Sequence, residues 1–372
     1  MLATDRLQSL DIFRGFTIAL MILVNDPGSW AQIYPPLRHA EWHGCTPTDL
    51  VFPFFLYIVG ISMAFSLGKR GMTLSGPVLA KIARRTALIF LIGLALNWFP
   101  FHTKSFAELR IMGVLQRIAL AYGCAALLVL AIPRKTLPWF TGGLLLLYWG
   151  LSYALGTPGT PYSLTGNYGR FLDLSILGEA HLYGGFGLPF DPEGFFGTLS
   201  AIGTTLLGFL TGSLIKQTPN RDHLVKKLLI YGLLGIAAGY VWGWFFPINK
   251  PIWTSSYALY TAGIAACFLG IAMQFYDIKK RTFGRFFFIV FGTNALFAFV
   301  LHGLLAKISR YLITWETSGG ETTHLFAWIY QNVFATPFGN TPFASLLYAI
   351  AYVLMCWLIT YGMYRKGWFL KL

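Results

Sequence analysis

Apolar residues run along this chain in ten stretches, each close to the length that crosses a bilayer, and the charged residues gather between them. The stretches lie near 10–25, 48–67, 82–99, 111–132, 138–155, 195–215, 226–246, 254–275, 285–303 and 343–364. Alternating segments of about 10 residues, the mark of a β-barrel, are absent from the pattern. In hydrocarbon each span must satisfy its own backbone hydrogen bonds, which makes helices the default. The predicted fold is all-α: a polytopic membrane helix bundle of about ten transmembrane helices, forming one domain over residues 1–372. No internal repeat is visible, so the inverted-repeat signature of many transporters is missing.

Composition agrees with this pattern. Hydrophobic residues are 56% and charged residues 11% of the chain, against roughly 25% charged in soluble domains. Charge placement adds an orientation. The N-terminus and alternate connections hold 19 Lys and Arg: Arg6; Lys69, Arg70, Lys81, Arg84 and Arg85; Arg134 and Lys135; Lys216, Arg221, Lys226 and Lys227; Lys279, Lys280, Arg281 and Arg285; Arg365, Lys366 and Lys371. The opposite side holds 7: Arg38, Lys104, Arg110, Arg170, Lys250, Lys307 and Arg310. By the positive-inside rule both termini are cytoplasmic, and the expected location is the bacterial cytoplasmic (inner) membrane, crossed many times. Topology and contact with anionic membrane lipid account for the net charge of +14, so no nucleic-acid partner is called for.

The first apolar run contains Asp11 and Arg14 and lacks a small-residue cleavage site, so it reads as a retained helix and not a signal peptide. Cys45, Cys124, Cys267 and Cys356 are scattered, with no disulfide or metal spacing. The outer connections, 26–47, 156–194 and 304–342, are long and rich in Gly, Pro, aromatic and His residues, whereas the inner ones are short and basic. Long ordered loops often carry function.

Ionisable residues inside a membrane are expensive and are functional candidates. Asp11 and Arg14 are three apart on one helical face, either a self-satisfied pair or an Arg turned toward an anion. The densest polar cluster is in the first outer loop: Asn25 and Asp26, then His39, Glu41, Trp42, His43, Thr46, Thr48 and Asp49. Histidine titrates near neutral pH and suits general-base work. Asp49 either orients such a base or caps the second span. His39 and His43 have i, i+4 spacing, but Pro35, Pro36 and Gly44 argue against a helix there, and no metal is expected. Arg110 and Arg117 are seven apart, predicted to share one helical face, as are Asn294 and His302, eight apart in the ninth span.

These residues fall in blocks that resemble the heparan-α-glucosaminide N-acetyltransferase family, including its bacterial members. The blocks are SLDIFRG at 9–15, HAEWHGCTPTDLVFPFF at 39–55, RIMGVLQR at 110–117, HLY at 181–183, FDPEGFFGT at 190–198, INKPIWTSSY at 248–257, GTNALFAFVLH at 292–302 and YRKGWF at 364–369. The opening block also looks like that of the wider superfamily of membrane acyltransferases. The resemblance implies transfer of acetyl from cytosolic acetyl-CoA to the amine of a glucosamine-type sugar beyond the membrane. It places the active-site histidine at His39 and the second active-site residue at Asn25. It departs from the animal enzymes in three ways: those carry an extra lumenal domain before the first matched span whereas this sequence begins almost at that span, the Asn25–His39 segment looks a few residues longer, and the 156–194 loop is shorter and without cysteines. The expected acceptor is therefore a bacterial amino sugar or cell-wall fragment.

The resulting expectation is a transmembrane N-acetyltransferase with His39 as base, or as transient acetyl carrier, alongside Asn25. Arg14, Arg84, Arg85, Arg117, Asn294 and Arg281 are assigned to acetyl-CoA, and Trp42, Asp49, Arg110, Glu193 and His302 to the amino-sugar acceptor. A homodimer is left open. The rival reading is a secondary transporter of amino sugars or cell-wall fragments.

Overall fold

A computed structural model describes residues 7–68, 74–102, 105–317 and 319–370. The basic residues Arg6, Lys69, Arg70, Lys104 and Lys371, which entered the orientation argument, lie outside the described residues. Most of what is described is helical. The long helices are α1 (Gln8–Asn25), α2 (Val51–Gly68), α3 (Gly76–Trp98), α4 (Val114–Ala131) and α5 (Leu137–Leu155). A shorter α6 (Tyr168–Leu177) precedes α7 (Phe195–Gln217), α8 (Arg221–Trp242) and α9 (Ser255–Ala272), the last continued by a π-helical turn over Met273–Ile278. Then come α10 (Arg285–Thr293), α11 (Ala295–Leu312), the short α12 (Leu325–Ile329) and α13 (Thr336–Phe338), and α14 (Pro342–Arg365). A two-stranded antiparallel hairpin pairs β1 (Thr314–Glu316) with β2 (Thr322–His324) between α11 and α12.

All ten apolar runs fall on helices. Among the described residues seven segments are long and apolar enough to cross a membrane: Pro47–Leu67, Val114–Ala131, Phe195–Gln217, Arg221–Trp242, Ser255–Ile278, Ala295–Leu312 and Pro342–Arg365. The other three runs lie in α1, α3 and α5. Charged residues lower the hydropathy of two of them, Asp11 and Arg14 in α1 and Lys81, Arg84 and Arg85 in α3, whereas α5 holds Pro138, three Gly, two Trp and two Tyr in place of aliphatic residues.

Two expectations are corrected. The 285–303 run is not one helix. It breaks at Asn294 (φ −127°, ψ 40°), whose amide donates to Trp368 O and accepts from Leu370 N, both at 3.0 Å. Asn294 therefore ties down the chain after α14 and does not share a helical face with His302. Likewise α4 begins at Val114, after an extended Gly113 (φ 175°). Arg110 lies before the helix, its carbonyl accepting from Asn97 Nδ2 at 3.0 Å, so Arg110 and Arg117 share no helical face.

Small residues let the helices approach closely, as is common where membrane helices pack. A Cβ on Gly15 of α1 would come within 1.7 Å of Phe288 O on α10, and one on Gly292 within 2.0 Å of Asp11 O. Gly60 of α2 and Gly208 of α7 stand in the same relation, with hypothetical Cβ contacts of 2.0 Å to Thr205 O and 2.1 Å to Tyr57 O. The first crossing joins α1 to α10, the second joins α2 to α7, and α1 also packs against α2. The first outer loop connects α1 to α2.

Candidate active site

The loop between α1 and α2 is built around Asp49. A 3-10 turn over Pro47–Leu50 opens α2, with Thr46 as its N-cap and Asp49 closing a capping box. Asp49 Oδ2 accepts from the backbone N–H of Thr46 at 3.0 Å and of Ala40 at 3.1 Å. Its other oxygen, Oδ1, lies 2.6 Å from His39 Nδ1. The two roles weighed for Asp49, capping and orienting a histidine, are thus both filled, one by each oxygen. Because a carboxylate only accepts, Nδ1 carries the proton of that contact, which leaves Nε2 as an acceptor.

Lys250 completes the cluster from the opposite end of the sequence. Its Nζ is 3.4 Å from Asp49 Oδ1 and 3.1 Å from His39 Nδ1. Burial pulls the lysine below its usual range, against the charges of Asp49 and Glu193. Asn249 holds this segment to the loop: its Nδ2 donates to Trp42 O at 2.8 Å, and Gly44 N donates to Ile248 O at 2.7 Å. Gly44 sits at φ +120°, a conformation that favours glycine. Trp42 is a staple, its indole N–H donating to Tyr162 O at 2.9 Å and its ring edge-on to Phe186 and Phe190. Cys45, half-buried beside Asp49, has its thiol pushed up to about 12 by burial and then by the Asp49 charge, so it is no thiolate nucleophile.

His39 opens onto a cavity of about 230 Å³ whose lining includes Asn25, Asn97, Glu193, Lys250, His302 and Lys307. The His39 side chain is 42% exposed, whereas Asp49 behind it is 2% exposed, so the imidazole is accessible while its carboxylate partner is not. Across the cavity a second pair repeats the first: His302 Nδ1 lies 2.9 Å from Asp26 Oδ2. Tyr352 fixes His302 further by donating to its carbonyl at 2.6 Å. Lys307 Nζ donates to Leu96 O at 2.6 Å at the end of α3, where a cation complements the helix carbonyls.

Of the residues singled out from the sequence, His39, Asn25, Glu193 and His302 line this one cavity, with Asp49 directly behind. Arg110 does not line it. Its guanidinium grips Asp191 through two 2.8 Å bonds and Glu193 Oε2 at 2.5 Å, and stacks on Tyr183. Burial opposes that charge, but the two carboxylates outweigh burial and raise the arginine above its usual range. Arg117 is buried elsewhere, donating to Gly194 O at 2.9 Å over the Trp253 ring, in a separate small cavity with Tyr148 and Asp173.

Arg14 lies deeper in the bundle, where it bonds Asp11 at 3.1 Å, Gly292 O at 3.2 Å and Ser62 Oγ at 3.0 Å. Arg84 is exposed on α3, and Arg85 covers Tyr122 at 4.6 Å with its buried Nε lacking a partner among the described residues. Arg281 is exposed beyond the π-helical turn. The basic groups assigned to the donor thus do not converge on one cavity. An orphaned guanidinium N–H beside an exposed arginine is nevertheless chemistry that fits a phosphate. Lys250 and Asp26 were legible as polar positions but not as partners of His39 and His302. Among the described residues no group of three or more His, Cys, Asp or Glu could hold a metal ion.

Comparison with known proteins agrees with the motif blocks. The family profile described as "Heparan-alpha-glucosaminide N-acetyltransferase, catalytic" matches residues 6–238. Heparan-alpha-glucosaminide N-acetyltransferase of Homo sapiens is 28% identical over 423 residues, covering 99% of this chain and 60% of that protein. The Mus musculus protein of the same name is 28% identical over 408 residues, covering 95% of this chain and 60% of its own. The chain therefore spans about 60% of the length of the curated relatives it matches.

Proposed function

The chain belongs to the heparan-alpha-glucosaminide N-acetyltransferase family, and on that premise we propose that it is a multi-pass membrane N-acetyltransferase. It would move acetyl from cytosolic acetyl-CoA to the amine of a glucosamine-type sugar on the other side of a bacterial inner membrane. The observation that carries this reading is the 2.6 Å contact between His39 Nδ1 and Asp49 Oδ1, with His39 facing a cavity that Asn25 also lines.

Acetyl transfer from a thioester requires three things of the protein. The amine must be deprotonated, the carbonyl oxygen must be stabilised as it gains charge, and water must be kept away. With Nδ1–H held by Asp49, Nε2 of His39 takes the amine proton as nitrogen attacks the carbonyl carbon. The Asp49 carboxylate stabilises the imidazolium so formed, and Lys250 balances the carboxylate. The Asn25 amide donates to the developing oxyanion. As the C–S bond breaks, the His39 imidazolium returns its proton to the departing thiolate. Glu193 offers a carboxylate in the same cavity for the ammonium or hydroxyls of the sugar. The same dyad also serves a route through acetyl-imidazole at Nε2. Direct transfer needs no covalent carrier, and we favour it.

For the donor nucleotide, Arg84, Arg85 and Arg281 supply the charge at the bundle end opposite His39, with Arg14 along the way. The acceptor we favour is a bacterial amino sugar or cell-wall fragment. Purified protein in detergent tests the proposal: incubation with acetyl-CoA and free glucosamine should yield N-acetylglucosamine and free CoA without any membrane gradient. Failure to transfer acetyl to any of a panel of amino sugars, in protein that binds CoA, would overturn it.

A further inference from the structure

A further cavity, away from His39, plays no part in the chemistry above. It holds about 590 Å³, within the usual range of ligand sites. Its walls are Leu207, Leu210 and Leu214 of α7, Leu259 and Ala266 of α9, and Tyr231 of α8. Tyr57 of α2 forms the floor, its hydroxyl satisfied by Thr211 Oγ1 at 2.6 Å. Along α7 it runs from Leu207 to Gln217, about 15 Å of helix at 1.5 Å per residue. That is roughly half the ~30 Å hydrocarbon thickness, the depth of one leaflet.

The chemistry of the two ends differs. The deep end is aliphatic. The mouth, where α4 has ended and α5 begins, is lined by Arg134 and by Gln217 at the last turn of α7. Lys216 is the neighbouring residue in that turn, and none of the lining residues is Asp or Glu. A slot one leaflet deep, apolar along its length and basic at its mouth, is complementary to an acyl chain below an anionic headgroup. A free anion would leave the aliphatic walls unused.

We propose that this cavity between α5, α7, α8 and α9 is a binding site for an anionic phospholipid, with an acyl chain along α7 and the headgroup phosphate at Arg134. The test is native mass spectrometry on detergent-purified protein offered phosphatidylglycerol or phosphatidylcholine with identical acyl chains, alongside thermal shifts. One phosphatidylglycerol per chain should be retained in preference to phosphatidylcholine and should raise the melting temperature. Arg134→Gln should weaken retention about fivefold, the effect of one basic group at an anionic surface, and Arg134→Lys should largely restore it. Ser213→Phe, which fills the slot from α7, should remove the retained lipid; its melting temperature without lipid serves as the check on folding. Equal retention of the two lipids would overturn the proposal. So would unchanged binding in both Arg134→Gln and Ser213→Phe, or a thermal shift reproduced by glycerol phosphate alone.

Discussion

His39 and Asp49 are ten residues apart in sequence and 2.6 Å apart in space, and the same carboxylate that receives the imidazole also closes the N-terminus of α2. The histidine's orientation is thereby tied to the start of a membrane-spanning helix. A loop side chain that is 42% exposed acquires the positional rigidity of the bundle.

Asp49→Asn separates capping from orientation. The amide oxygen can still accept from Thr46 N and Ala40 N, but the amide N–H₂ facing His39 would favour the tautomer with the proton on Nε2. Turnover should fall by about 10²–10⁴-fold, while the melting temperature and the thermal shift produced by CoA change little. Near-normal turnover in Asp49→Asn would show that the dyad does not set the base.

Gly15→Ala tests the packing of α1 against α10. The new Cβ would sit 1.7 Å from Phe288 O, a backbone atom that cannot swing away. Overpacking of this kind costs roughly 1–3 kcal/mol or more. The variant should melt clearly lower than a control such as Gly142→Ala, where nothing lies within 4 Å.

Asp173, in α6 outside the spans, gives a pH dependence. Burial, reinforced by the nearby Asp191 charge, raises its carboxyl to about 7 despite the hydrogen bond from Phe195 N. In the unfolded chain it titrates near 3.9. Between these values the folded state keeps a proton that the unfolded state has lost. The contribution to stability is therefore full below about pH 4, falls as pH rises, and levels off above about pH 7. Asp173→Asn should flatten this slope and melt higher than wild type at pH 8; thermal scans from pH 4 to 8 check it.

How far the sequence could be read follows from which contacts are local. The helices were legible because the membrane imposes apolar runs of fixed length, and the polar density at 39–49 pointed to the candidate site because its members are close in sequence. Lys250 reaches His39 across 211 residues, and His302 meets Asp26 across 276. Each is a single polar residue whose partner no periodicity can name. The face expected for Arg110 and Arg117 failed for the converse reason. Seven-residue spacing has meaning only if the intervening backbone is helical, and Asn97 holds Arg110 in extended chain before α4 starts.

Orientation is open to direct labelling. In a background lacking the native cysteines, a cysteine at Trp30, 65% exposed in the same loop as His39, should react in intact cells with a membrane-impermeant maleimide. A cysteine at Lys280 should react only after lysis. The reverse pattern would place the His39 cavity on the cytoplasmic side and remove the need for transfer across the membrane.

The most direct test of the account is turnover by His39→Ala with acetyl-CoA and a glucosamine acceptor, measured beside the thermal shift that CoA produces. A general base contributes roughly 10²–10⁴-fold, so acetyl transfer should fall by about that factor while the CoA shift persists. A folded, CoA-binding His39→Ala protein that keeps more than about a tenth of wild-type turnover would contradict the assignment of His39 as the base.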